Sequence, residues 1–153
     1  MTLRLSTALR NARANAVQAA MDKGVIYIYG PTQPTDPDAV ASSTLLTEIS
    51  VSSGDFAHGT TTNGLEFGAA SNGTITKSAT AVWSGVGKAT GTATWFRFCA
   101  NSADSEPGDP GATRISFDGL VTTSGGQLNM SSTAITAGAT TTVDSFTWVE
   151  PAS

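Results

Sequence analysis

Beyond residue 23 the chain is cut by glycine, proline and Asp-Gly signals at roughly 8–12-residue intervals, which leaves room only for short strands. Turns at that spacing favour a sandwich or barrel of short strands. The side chains between the turns agree. Charged residues make up only 13% of the 153-residue chain, and Thr, Ser, Ala and Gly take their place. Short hydroxylated side chains suit pleated, half-buried surfaces and tight turns better than helix faces. The expected fold is mainly β: an antiparallel β-sandwich, jelly-roll-like or immunoglobulin-like, with one N-terminal α-helix. A single domain is expected over residues 1–153, with the helix at 5–23 and the sandwich at 24–150.

The helix is the one departure from the β pattern. LSTALRNARANAVQAAMDKG is rich in alanine, the best helix former. Ser6 or Thr7 can cap its start, and Gly24 can stop it in the left-handed conformation. Leu5, Leu9, Ala12, Ala16, Ala20 and Met21, with Val17 beside them, trace a shallow apolar face at helical spacing. That face could lie on the sandwich or on a neighbouring subunit.

Among the expected strands, Val25 to Tyr29 lacks polar alternation and reads as covered on both faces. Leu45, Thr47, Ile49 and Val51 alternate with polar or opposite-facing neighbours. Ala89 to Ala100 reads as one long strand, and Thr140 to Val149 as the last. Asp118-Gly119 is a strong turn signal, so Thr113 to Asp118 and Leu120 to Thr122 read as two strands around it. Two polar loops stand out. Residues 31–43 carry Pro31, Pro34 and Pro37 with Asp36 and Asp38, and residues 101–112 carry Asp104, Glu106 and Asp109. The proline-rich one is long enough to suggest a binding loop or linker.

Chemistry-bearing residues are few. His58 is the only histidine; it could serve as a base, but a solvated loop histidine is the plainer reading. Cys99 is the only cysteine, so no intrachain disulfide forms, and it reads as a small apolar residue in a strand. One His and one Cys do not supply the four ligands of a structural zinc site. The acidic loops match no defined calcium-loop spacing. No catalytic, metal or cofactor residue is assigned, and the chain is expected not to be an enzyme. Trp83, Trp95 and Trp148 are candidate stacking platforms for a sugar, although their apolar neighbours favour core or subunit-interface placement. With net charge −4 and eight thinly spread Lys and Arg, no basic patch for nucleic acid is expected. No signal sequence and no apolar run of membrane-spanning length is seen, so synthesis in the cytoplasm and no membrane partner are expected.

Several segments, in order, carry a resemblance. They are Leu3 to Asn11, Gly24 to Tyr29, a Gln33-Pro34 loop, Thr44 to Ile49, Ala89 to Arg97, Phe117-Asp118-Gly119 and Asp144 to Thr147. They are spread in order along most of the chain's length, and the layout resembles small virion proteins of tailed bacteriophages. The resemblance implies a head decoration (cement) protein, or else a collar or tail component. It implies the major capsid protein or other virion subunits as partners, many copies or a homo-oligomer, and residence in the virion after synthesis in the bacterial host. It carries no catalytic motif.

Overall fold

The computed structural model describes residues 3–103 and 114–152. One helix, α1 (Thr7–Met21), precedes ten strands: β1 (Val25–Gly30), β2 (Thr44–Val51), β3 (Thr74–Thr76), β4 (Trp83–Val86), β5 (Gly91–Thr92), β6 (Trp95–Cys99), β7 (Ser116–Thr122), β8 (Leu128–Met130), β9 (Ala134–Ile135) and β10 (Thr140–Val149).

The strands do not form a sandwich. They run in the order β10-β4-β2-β1-β6-β7-β8, and β8 pairs back onto β10, closing a seven-stranded barrel. The expected jelly-roll-like or immunoglobulin-like sandwich is therefore corrected. The cause lies in β10. Its first residues pair with β4, its middle with β8 and its last with β3, so one long strand joins what would be the two open edges of a sandwich. Closure pairs every strand of the ring on both sides over at least part of its length, which reduces the exposed edge that is the usual liability of open sheets. A small separate ladder joins β5 to β9.

Ile26, Ile28, Leu46, Ile49, Trp83, Phe96, Phe98, Leu128, Met130, Val143 and Phe146 form the main core cluster, on the inward face of the strands. Side chains fill a barrel of this size, so it is a packed core and not a pore. The outward face of β1 and β6 is buried as well. Val25, Tyr27, Tyr29, Trp95 and Cys99 form a second cluster there, packed by Ala41 of the proline-rich loop, Leu45 of β2 and Phe56 beyond it. Strand β1 is buried at all six positions, as its unbroken apolar pattern suggested.

Several local readings change. Ser6 caps α1 by accepting the Leu9 N–H at 3.2 Å. The left-handed residue after the helix is Lys23, with φ of 60°, and not Gly24. Gly24 is required for a different reason: a Cβ there would lie 2.4 Å from the Cys99 carbonyl oxygen. The expected face holds at its end, where Met21 is buried and Val17 packs on the core, but Leu9, Ala12 and Ala16 are exposed while Ala14, outside the expected stripe, is buried. Polar anchors turn it. Arg10 donates twice to the Glu150 carbonyl oxygen, at 3.1 and 2.9 Å, and Asn11 accepts the Gly73 N–H at 2.6 Å.

Strand β2 does not alternate strictly. Tyr29 faces Leu45 while Ile28 faces Thr47, so Leu46 is the extra residue of a bulge and turns into the core with Ile49. The expected long strand from Ala89 to Ala100 is two strands, β5 and β6, interrupted where Thr94 donates its N–H to the Tyr29 carbonyl at 3.0 Å. Asp118-Gly119 is not a turn but the middle of β7. Finally, β7 and β8 pair in parallel although only residues 123–127 connect them. A parallel pair ordinarily needs a connection of a dozen or more residues. Here Asn129 clasps the short link: its Oδ1 accepts from Thr122 Oγ1 at 2.7 Å and from Gly126 N at 3.0 Å, and its Nδ2 donates to the Gly126 carbonyl at 2.9 Å.

Candidate functional site

Strand β8 has three residues, while its neighbours β7 and β10 continue past it. The ladder between β7 and β8 covers Val121 and Thr122 only, and that between β8 and β10 ends at Phe146. Below β8, therefore, Ser116 to Leu120 and Thr147 to Val149 face each other with no strand between them among the described residues. Their far sides are occupied, β7 by β6 and β10 by β3.

The gap is a cleft of about 520 Å³ lined by Phe96, Phe117, Phe146, Trp148, Leu120 and Val149, with the amides of Gln33 and Gln127 at its rim. The volume falls within the range of small-ligand and peptide pockets. Its floor is aromatic. Phe117 packs against Trp148 with ring centroids 4.9 Å apart and against Phe146 at 6.1 Å. Leu120 and Val149 are 56% and 58% exposed, apolar side chains with no cover among the described residues. A shallower recess continues it between Pro34, Thr35 and Pro37 of the proline-rich loop and Ser116 to Asp118.

No protein-family model, curated protein or solved structure matches the chain.

Among the described residues Asp118 is the only ionisable group lining the cleft, and its charge is already engaged. Arg97, wholly buried on β6, donates from Nε and Nη2 to the two Asp118 carboxylate oxygens, both at 2.7 Å, and from Nη1 to the Ala39 carbonyl at 2.9 Å. The guanidinium also lies 5.6 Å from the centroid of the Trp95 ring. Burial alone pulls the Arg97 pKa down, but the hydrogen bond and charge of Asp118 outweigh it, so the net shift is upward. The pair is a buried strut that clips the proline-rich loop to the barrel wall, and it leaves no unpaired charge in the cleft lining among the described residues.

The residues singled out by sequence fall into three groups. Trp148 lines the cleft; Trp83 and Trp95 are buried in the two core clusters, as their apolar neighbours suggested. His58 is not a freely solvated loop residue: its Nε2 lies 2.7 Å from the hydroxyl of Tyr27, which is buried on the outward face of β1. Cys99 is buried on β6, where desolvation pushes its thiol up to about 11. Asp36 accepts the Asp38 N–H at 2.9 Å in a local turn, and Asp104, Glu106 and Asp109 lie outside the described residues. Among the described residues no three metal-ligating side chains converge, and no helix is long and apolar enough to cross a membrane.

Sequence reasoning missed Phe117, Leu120, Gln127 and Val149 as a site, because they meet only through the closure of the barrel. It also missed the strut. A signal was there: Arg97 sits between Phe96 and Phe98 in an apolar strand, where a charge is buried only if a partner is at hand.

Proposed function

We propose that this is a non-enzymatic virion structural protein that decorates or stabilises a phage capsid by binding across major capsid protein subunits. It would be made in the bacterial host and reside in the virion in many copies. The observation that carries the reading is the neutral, apolar cleft between β7 and β10, flanked by exposed Leu120 and Val149. Such a feature suits contact with another polypeptide better than catalysis on a charged substrate, since apolar recesses rimmed by polar groups mark interaction sites. A low-charge surface supports the same reading, and many weak contacts on a shell add through multivalency. The resemblance of the sequence to small phage virion proteins supplies the kind of particle.

The test is cosedimentation of the purified protein with empty phage heads and, separately, with tails. Saturable binding to heads, weakened by Leu120→Asp, supports decoration. Binding to tails alone makes it a tail or collar component. Binding to neither overturns both.

Trp148 favours one second reading. A half-buried indole beside two glutamine amides is also a platform on which a sugar ring could stack. Glycan-array binding abolished by Trp148→Ala would support it.

A further inference from the structure

The cleft has the shape of a missing strand. It continues the line of β8, and the main-chain edges of Ser116 to Leu120 and Thr147 to Val149 bound it on its two sides. Edge groups of this kind are templates for strand addition. At its upper end β8 blocks the cleft, and Thr147 N–H already bonds the Gln127 carbonyl there at 2.8 Å. The open end lies by Val149. An occupant must be extended, must place an apolar side chain on Phe117 and Trp148, and can bring no charge inward, because Asp118 is held by Arg97.

One segment of the chain meets these demands. Residues 3–6 precede α1 outside any helix or strand, and Ser6 is extended, with φ of −65° and ψ of 155°. Leu3 is 79% exposed. In an extended segment Leu3 and Leu5 fall on one side and Arg4 on the other, so an inserted arm would turn Leu3 inward and Arg4 outward. Arg4 would then add a positive charge to a body whose net charge is −4. The position also fits. Leu5 N–H bonds the Ala152 carbonyl at 3.0 Å, and Ala152 is three residues beyond Val149, so the root of the arm and the mouth of the cleft share one pole. Three residues span at most about 10 Å. Two copies meeting at that pole about a twofold axis can each offer an arm to the other's cleft, which makes a self-complementary interface.

We infer that the cleft is an acceptor for the Leu3–Arg4 tip of a second copy, rooted on its own chain at Leu5 and Ser6, and that the protein forms an arm-exchanged dimer by strand addition between β7 and β10. The exchange does not depend on the virion reading. The test is analytical ultracentrifugation of the full chain at about 100 μM, far above a micromolar dissociation constant. The chain should sediment as a dimer, and Leu3→Asp and Leu120→Asp should each sediment as monomers with unchanged far-ultraviolet circular dichroism. In a Cys99→Ser background, Arg4→Cys with Leu120→Cys, both on the outward face, should give a covalent dimer on mild oxidation. A monomeric parent chain, or a dimer indifferent to both aspartate substitutions, overturns the exchange. So does a disulfide between positions 4 and 120 confined to one chain. Head binding by a parent chain that proves monomeric would leave the capsid reading standing while this one fell.

Discussion

Trp148 Nε1 donates to Glu150 Oε1 at 3.1 Å, so a carboxylate two residues along the chain sets the indole that floors the cleft. Glu150 is itself buried, and its other carboxylate oxygen meets Arg13 at 3.0 Å while its carbonyl takes both bonds from Arg10. The helix thus reaches the cleft through one acidic residue. Glu150→Ala leaves the indole N–H without its acceptor and should cost about 1–3 kcal/mol, read as a lower urea midpoint. It should also shift tryptophan emission and weaken whatever the cleft binds. Arg13→Ala should cost far less, about 0.2–1 kcal/mol, because Arg13 is half exposed and water competes for the pair.

The Arg97–Asp118 strut separates the cost of breaking a buried pair from the worth of having one. Asp118→Asn strands the guanidinium in the interior and should destabilise the fold by about 3–5 kcal/mol. Arg97→Met with Asp118→Leu removes both charges and should recover most of that loss, as a double-mutant cycle in urea would read directly. Equal losses in the single and double variants would show that losing the Arg97 bond to Ala39, which only the double variant removes, costs as much as the stranded charge.

Cys99 makes the alkaline limb of stability predictable in sign. Its thiol is raised from 9.0 to about 11 by burial, so the unfolded chain loses this proton first. The stabilisation is whole below pH 9 and fades as pH climbs toward 11, because the unfolded state alone is then ionised. Native protein should therefore label slowly with iodoacetamide at pH 8 and quickly in urea. Cys99→Ala should flatten the part of the stability decline that falls in the window between the two values.

Gly119 tests the correction at Asp118-Gly119. A Cβ at that position would lie 2.6 Å from Cε1 of Phe96. Gly119→Ala should cost about 1–3 kcal/mol by overpacking, measured by thermal or urea unfolding. A neutral or stabilising result would mean that the Phe96 ring yields.

The same residue shows how far the chain could be read without its fold. Asp-Gly is a turn signal from local conformational preference, but here Asp118 is spent on Arg97 and Gly119 makes room for Phe96; both causes lie on another strand. The β2 bulge is similar. Alternation from Leu45 to Val51 is visible, yet the insertion of Leu46 follows from its pairing with β1. Elements set by local propensity were legible: α1 from its alanines and Ser6, β1 from an apolar run. Closure into a barrel was not, because it rests on which three strands β10 pairs with. Nor was the cleft, which exists because β8 stops at three residues. Trp148 drew notice as an aromatic, but nothing near it in sequence marks Phe117 and Leu120 as its neighbours.

Strand β10 also has a consequence for how the molecule comes into being. It follows every other described strand, and it is the strand that pairs with both β4 and β8 to close the ring. During translation the other six strands of the ring emerge first and have to wait as a curved, unsealed sheet with its aromatic interior uncovered on one side. Until Thr140–Val149 leaves the ribosome, β4 and β8 are both bare edges, open to the same strands in a neighbouring nascent chain. Crowded synthesis of many copies would make that interval the most hazardous in the life of the protein, and a slow, late step is where a chaperone would have most to do.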